Sequence, residues 1–181
     1  MLDADPLENV RVDCALCGGG ESTMQGMRSF VRSHRSDLDR RSTRFISFES
    51  VGLGEPRFFT SEGLAVSLPF DAELAELCAA VAIAHDRGEE RYGAEPIRDG
   101  RTSAAFVARA YGYRAIAITC REGGEVLPVG HHTPADTPES LDPAAIGRAA
   151  EFAVEAIRLL DRDLGRSRQS AEAEPAATSA D

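Results

Sequence analysis

His131-His132-Thr133-Pro134-Ala135-Asp136-Thr137-Pro138-Glu139-Ser140-Leu141-Asp142 holds two of the chain's four histidines. An apolar run, Tyr113 to Cys120 (YRAIAITC), precedes it. So continuous an apolar character predicts a strand covered on both faces. After the polar stretch, Asp142 stands as an N-cap and Pro143 at the first helical position, where a missing N–H costs nothing. Ile146, Ala150, Ala153, Val154, Ile157 and Leu160 then recur at helical spacing, which predicts a long amphipathic helix from Pro143 to about Leu164. A buried strand, a polar histidine-bearing loop and a long helix are parts of an α/β fold. In such a fold the loops at the carboxyl ends of the strands carry the chemistry.

The same alternation extends upstream. Val10 to Cys17 (VRVDCALC) places Val10, Val12, Cys14 and Leu16 on one face and predicts a strand. A glycine-rich turn, Gly18-Gly19-Gly20, leads into a helix carrying Met24, Met27, Phe30 and Val31 that runs to about His34. Phe45 to Phe48 predicts a short strand, and Glu49 to Pro56 a loop rich in turn residues. Arg57 to Thr60 and Leu64 to Leu68 are short extended segments. Asp71 caps a helix with Leu74, Leu77, Cys78 and Val81 on one face, ending near His85. Arg87 to Arg101 is a polar loop, Thr102 to Tyr111 a short helix stopped by Gly112, and Glu122 to Val129 a possible hairpin turn. The expected architecture is three-layer α/β/α around a mostly parallel sheet. Its domain spans residues 10–164, between a loose N-terminus (1–9) and a disordered tail (165–181).

At 181 residues the chain is one domain with a real core. Its formal net charge of -10 argues against nucleic acid and anionic membrane surfaces as partners. No apolar run reaches the roughly 20 residues of a membrane span. The acidic start, Met1-Leu2-Asp3-Ala4-Asp5, is not a signal peptide, so a cytoplasmic, reduced protein is expected. Cys14-Ala15-Leu16-Cys17 has CxxC spacing. In redox proteins that motif opens a helix; here it falls inside a predicted strand with no second pair, so a buried structural role is expected. Gly18-Gly19-Gly20 lacks the remainder of a phosphate-binding signature and is a turn. No GxSxG elbow marks a serine hydrolase.

Three acceptor side chains fall just past predicted strand ends: Glu21, Glu49 and His132. Two carboxylates and an imidazole suit zinc, and a catalytic zinc takes about three protein ligands plus an open position. Each residue also has an ordinary role open to it. Glu21 serves as a helix-start carboxylate, Glu49 as a solvated loop acid and His132 as a hydrogen-bonding loop residue.

Gly20-Glu21-Ser22-Thr23-Met24-Gln25-Gly26 resembles the Glu-Glu-x-Gly-Leu-x-Gly helix start of the co-catalytic zinc aminopeptidases, the family of bacterial leucyl aminopeptidases, aminopeptidase Y and glutamate carboxypeptidase. Phe48-Glu49-Ser50-Val51-Gly52 resembles that family's Asp/Glu-x-Val-Gly strand end. His132-Thr133-Pro134-Ala135-Asp136-Thr137-Pro138-Glu139 resembles its His-Thr-x-x-Asp-Thr-x-Glu loop. The resemblance covers about Val10 to Leu164. It implies a zinc-exopeptidase-like fold, with Glu21 and His132 as ligands of one zinc and Glu49 of a second. His131 matches no ligand position, while Thr133 and Asp136 order the loop. The implied activity is release of N-terminal residues by a metal-activated water.

The chain departs from this pattern where the chemistry is most demanding. Gly20 occupies the position of the general base, whose loss removes ~10²–10⁴ in rate. The family's upstream His and bridging Asp have no counterpart, so the domain is expected to be N-terminally incomplete. Thr102-Ser103 stands where the family carries a Ser/Thr-Asp pair. The expectation is an impaired or inactive zinc peptidase holding one weakly bound ion or none. The alternative is a non-catalytic module that binds peptide or a partner chain, or one half of a split peptidase whose sheet a second chain completes.

Overall fold

A computed structural model describes residues 6–63, 66–86, 94–99, 101–123, 125 and 127–173. The elements run α1 (Gln25–His34), β1 (Arg44–Glu49), β2 (Glu55–Glu62), β3 (Leu68–Pro69), α2 (Ala72–Asp86), β4 (Glu95–Asp99), α3 (Ala104–Ala110), β5 (Arg114–Arg121) and α4 (Pro143–Ala173), with a 3-10 turn at Pro138–Ser140 before α4. The sheet follows the path β1-β5-β2-β3, and β4 also pairs with β2. β1 lies parallel to β5 and β2 parallel to β4. An antiparallel seam, Glu55–Phe58 of β2 against Ile118–Arg121 of β5, joins the two parallel pairs, so the sheet is mixed.

Alternation along β5 and β2 builds the layers. Ile116 and Ile118 point to one face with Phe58 and meet Leu74, Leu77, Cys78 and Val81 of α2, together with Phe152, Ala153, Ala156 and Leu160 of α4. Ala115 and Ala117 point to the other face with Phe59 and meet Met27 and Val31 of α1 and Ala105, Val107 and Ala108 of α3. The α/β/α class expected from the sequence is the one observed. Asp142 caps α4 as expected, accepting from the N–H groups of Ala144 (2.9 Å) and Ala145 (3.2 Å). The buried face of α4 is nonetheless Ala145, Ala149, Phe152, Ala153, Ala156 and Leu160. Ile146 faces solvent, because small alanines let the helix approach the sheet closely while Phe152 stacks on Phe58 (centroids 6.2 Å apart).

Several expectations change. Val10 to Cys17 forms no strand: its backbone is irregular and Leu16 is fully exposed. A strand exists only against a neighbour, and among the described residues β1 pairs with β5 alone. β4 lies in the stretch expected as a polar loop. Only Ile97 is apolar there, and an edge strand beside β2 tolerates its Pro96. The N-terminus is tied down at residues 8 and 9, whose N–H groups reach the Asp161 carboxylate at 3.3 and 2.6 Å. The tail expected from residue 165 is helical to Ala173, prolonging α4. Leu64, Ala65, Gly124, Val126 and residues 174–181 lie outside the described residues, as do parts of the segments expected there.

Removing the Phe152 ring leaves a cavity under β2, so Phe152→Ala is expected to lower unfolding free energy by about 3–5 kcal/mol in urea titration. Asp71 accepts from Leu74 N–H (3.1 Å) and from Arg114 Nε (2.8 Å). Burial works against its carboxylate, but the Arg114 guanidinium and the Leu74 N–H outweigh it and hold the pKa below the ordinary value. Its stabilising contribution is therefore present above about pH 4 and lost as pH falls through the folded-state pKa. Asp71→Ala should cost about 1 kcal/mol at pH 7, with the gap to the parent closing in urea midpoints taken at progressively lower acid pH.

Candidate functional site

β1 and β5 run parallel, so Glu49, paired with Thr119, sits at the carboxyl edge of the sheet. The loops on either side of that edge bring in the other two expected residues. Before α1, the backbone folds through Gly19 (φ 69°), Thr23 (φ 60°) and Met24 (φ 57°) into a left-handed turn that carries Glu21. The histidine loop follows β5. Thr133 Oγ donates to Gly130 O (2.8 Å) and Thr133 O accepts from Asp136 N–H (3.1 Å), closing the loop on itself. Asp142 N–H donates to Gly52 O at 2.8 Å, and Leu141 lies so close over Gly52 that any Cβ there would run into it. His132 takes a left-handed backbone (φ 57°), unusual for a residue other than glycine.

Two of the three expected ligands meet. His132 Nε2 stands 3.1 Å from Glu21 Oε2, and both side chains are exposed, at 62% and 83%. His131 stacks on His132 with ring centroids 3.9 Å apart. Burial, the neighbouring His132 and Arg101 together lower the His131 pKa, so the ring is held towards its neutral form.

Glu49 does something else. Its Oε1 accepts the N–H of Ala104, the first residue of α3, at 2.9 Å. Ser47 Oγ accepts the N–H of Ala105 (3.2 Å), and Ser103 Oγ accepts that of Phe106 (3.1 Å). Ser103 in turn donates to the buried Glu62 at 2.7 Å. Three N–H groups that a helix start leaves without intrahelical partners are thus satisfied by side chains from β1 and from the helix's own cap. Desolvation raises the Glu49 pKa, and the Glu21 charge adds to the rise. The Ala104 N–H, Ser47 and Arg101 offset it in part.

A zinc ion with nitrogen and oxygen ligands at about 2.0–2.2 Å sets neighbouring ligand atoms about 3.3 Å apart in a tetrahedron. The Glu21–His132 separation fits one edge of that figure, and their exposure leaves the remaining positions to water. No third donor joins them among the described residues. Among the described residues no group of three His, Cys, Asp or Glu side chains is arranged to hold a metal. The residues present fit a two-donor site and not the three-ligand set of a catalytic zinc. Ser103, which stands where the resemblance leads one to look for a lost carboxylate, is the α3 cap, legible as a serine before Ala-Ala-Phe-Val. Ser47 and Arg101 carry no signal in the sequence, because their parts depend on which strand end faces which helix.

The Peptidase family M28 model matches residues 2–157. No curated protein sequence matches the chain. Among solved structures, an aminopeptidase from Aneurinibacillus sp. strain AM-1 superposes with a TM-score of 0.57 at 19% identity, over 78% of this chain and 31% of that enzyme. A protein described as a 5'-methylthioadenosine/S-adenosylhomocysteine nucleosidase from Borrelia burgdorferi B31 superposes with a TM-score of 0.54 at 14% identity, over 80% of this chain and 79% of that one. At such identities the two superpositions speak to the fold. The chain spans less than a third of the aminopeptidase's length.

Because the folded-state pKa of Glu49 is raised, stability linked to it is greatest when the acid is protonated, and is lost as pH rises through that pKa. Glu49→Gln keeps an acceptor for Ala104 without the charge. It should equal or exceed the parent in urea midpoint at pH 7, with the difference vanishing below about pH 4. Glu49→Ala leaves the Ala104 N–H without its acceptor and should cost about 1–3 kcal/mol at either pH.

Proposed function

The chain belongs to peptidase family M28, and from that membership we propose that it is a zinc-dependent exopeptidase domain of the aminopeptidase type whose hydrolytic chemistry is impaired in this chain. Peptidases of this family are typically zinc-dependent, and zinc would supply a Lewis acid and an activated water. The observation that carries the proposal is the division of labour at the sheet edge. Glu21 and His132 lie together and open to solvent, while Glu49 turns one oxygen to the start of α3 and joins no three-donor group among the described residues. Gly20, at the general-base position of the resemblance, has no side chain to take up a proton. On this reading Glu21 and His132 hold at most one weakly bound zinc, and the ligand at the edge is a peptide.

A net charge of -10 supports a peptide rather than a nucleic acid as the partner. No helix among the described residues is long and apolar enough to cross a membrane, and we place the protein in the cytoplasm as part of the same proposal. The unpaired outer edge of β1 among the described residues favours a second reading, a non-catalytic module or half of a split peptidase whose sheet another chain extends. Co-purification of a chain that contributes a His and an Asp to the edge would favour that reading over the first.

Elemental analysis after dialysis against zinc tests the site. The parent should bind up to one zinc per chain, Glu21→Ala/His132→Ala should bind none, and Glu49→Gln should match the parent. Release of free amino acid from aminoacyl-anilide substrates with zinc supplied should be undetectable. Chelator-sensitive turnover would overturn the impaired reading, and equal zinc content in the parent and the double variant would overturn the assignment of its ligands.

A further inference from the structure

Val10 to Cys17 is where periodicity and backbone disagree most, and it carries a motif that the peptidase chemistry does not use. A buried, structural Cys14 and Cys17 follow only if the segment is a strand. Instead both thiols are free and exposed, whereas Cys78 and Cys120 are buried. We propose that Cys14 and Cys17 are a redox-active dithiol, oxidised to an internal disulfide by exchange with small-molecule disulfides of the glutathione class.

The segment is tethered at both ends and unrestrained between them. At its start, Asn9 N–H is bound to Asp161 at 2.6 Å and Val10 packs on the α2/α4 side of the core. At its end, Gly26 N–H donates to Gly18 O at 3.0 Å, and the Cys17–Gly18 backbone lies against Gly26 so closely that a Cβ there would collide with it. Between these posts Ala15 and Leu16 are exposed, so no packing opposes a turn that brings the two sulfurs together. A disulfide needs Cα atoms about 4.4–6.8 Å apart, a distance that two intervening residues reach only in a turn.

The exchange balances without a further reactant. One cysteine thiolate attacks the small disulfide, forms a mixed disulfide and expels one small thiol. The second cysteine thiolate attacks the cysteine sulfur of that mixed disulfide and expels the other small thiol. The dithiol gives up two electrons and two protons, and both end on the released thiols.

Oxidation also decides what the segment can become. In a strand, residues i and i+3 stand about 10 Å apart, beyond the reach of a disulfide, so the oxidised segment cannot be a strand across Cys14–Cys17. With both thiols free the segment is already irregular and unpaired, so closing the disulfide breaks no strand pairing.

The test is alkylation of the full native chain in mixtures of reduced and oxidised glutathione, read by intact mass and peptide mapping. Reduced protein should take label at Cys14 and Cys17 and not at Cys78 or Cys120, whose thiol pKa values burial pushes up to about 12 and about 11. Oxidised protein should lose both labels together and carry no glutathione. Cys17→Ser and Cys14→Ser, exposed positions at no risk to folding, should each retain one glutathione per chain. Failure of Cys14 and Cys17 to label in the native reduced chain would overturn the proposal, as would stable glutathione adducts or cross-linked dimers on the parent. None of these outcomes depends on zinc or on peptidase activity.

Discussion

β5 carries the fold. It pairs with β1 over Arg114–Thr119 and with β2 over Ile118–Arg121, and from Ala115 onward its residues are buried. A strand buried on both faces must satisfy every backbone group within the sheet and show each helical layer a side chain of the right size. Alanines at 115 and 117 let α1 and α3 come close on one face. Isoleucines at 116 and 118 fill the wider space under α2 and α4 on the other. A polar or much larger residue at any of these four positions would part a layer from the sheet. The parallel register with β1 also fixes which strand ends share an edge, and so which side chains can meet there.

At that edge Glu49 gives one oxygen to the start of α3, because a helix of seven residues has few internal hydrogen bonds and relies on its first N–H groups being satisfied. The hydrogen bond to Ala104 has an ordinary 2.9 Å length, desolvation raises the Glu49 pKa, and Ser47 and Ser103 complete the arrangement. A half-buried carboxylate engaged in this way is held as part of the scaffold, and the raised pKa records the desolvation cost. Glu21 and His132 lie on exposed loops, 3.1 Å from each other.

The glycine turn shows the same economy in backbone terms. Gly26 is needed because the Cys17–Gly18 backbone crosses directly over α1, and Gly52 because Leu141 covers it. These two close approaches anchor the Glu21 loop and the histidine loop to the body of the domain. The pair at the edge therefore rests on loops whose ends are fixed although their side chains are open to water.

Sequence alone determined the elements whose cause is local. The Asp142 cap, the Asp71 cap, the Gly112 stop (φ 87°) and the apolar run of β5 are set by neighbours a few residues away, and they appear where the chain says they should. Glu49 and His132 at one edge were legible too, since β1 and β5 run parallel and end on the same side, whereas Glu21 follows no strand among the described residues. What tertiary structure decided is everything that needs a partner from a distance. Val10 to Cys17 alternates like a strand and is none, because pairing belongs to two segments and periodicity describes one. β4 is a strand with a single apolar side chain because β2 offered an edge. The α4 face is turned by one position because alanine packing against the sheet, not the largest residues, set its rotation. Glu49 became a helix anchor because α3, more than fifty residues later in the chain, starts within 2.9 Å of it. No window of sequence contains that distance.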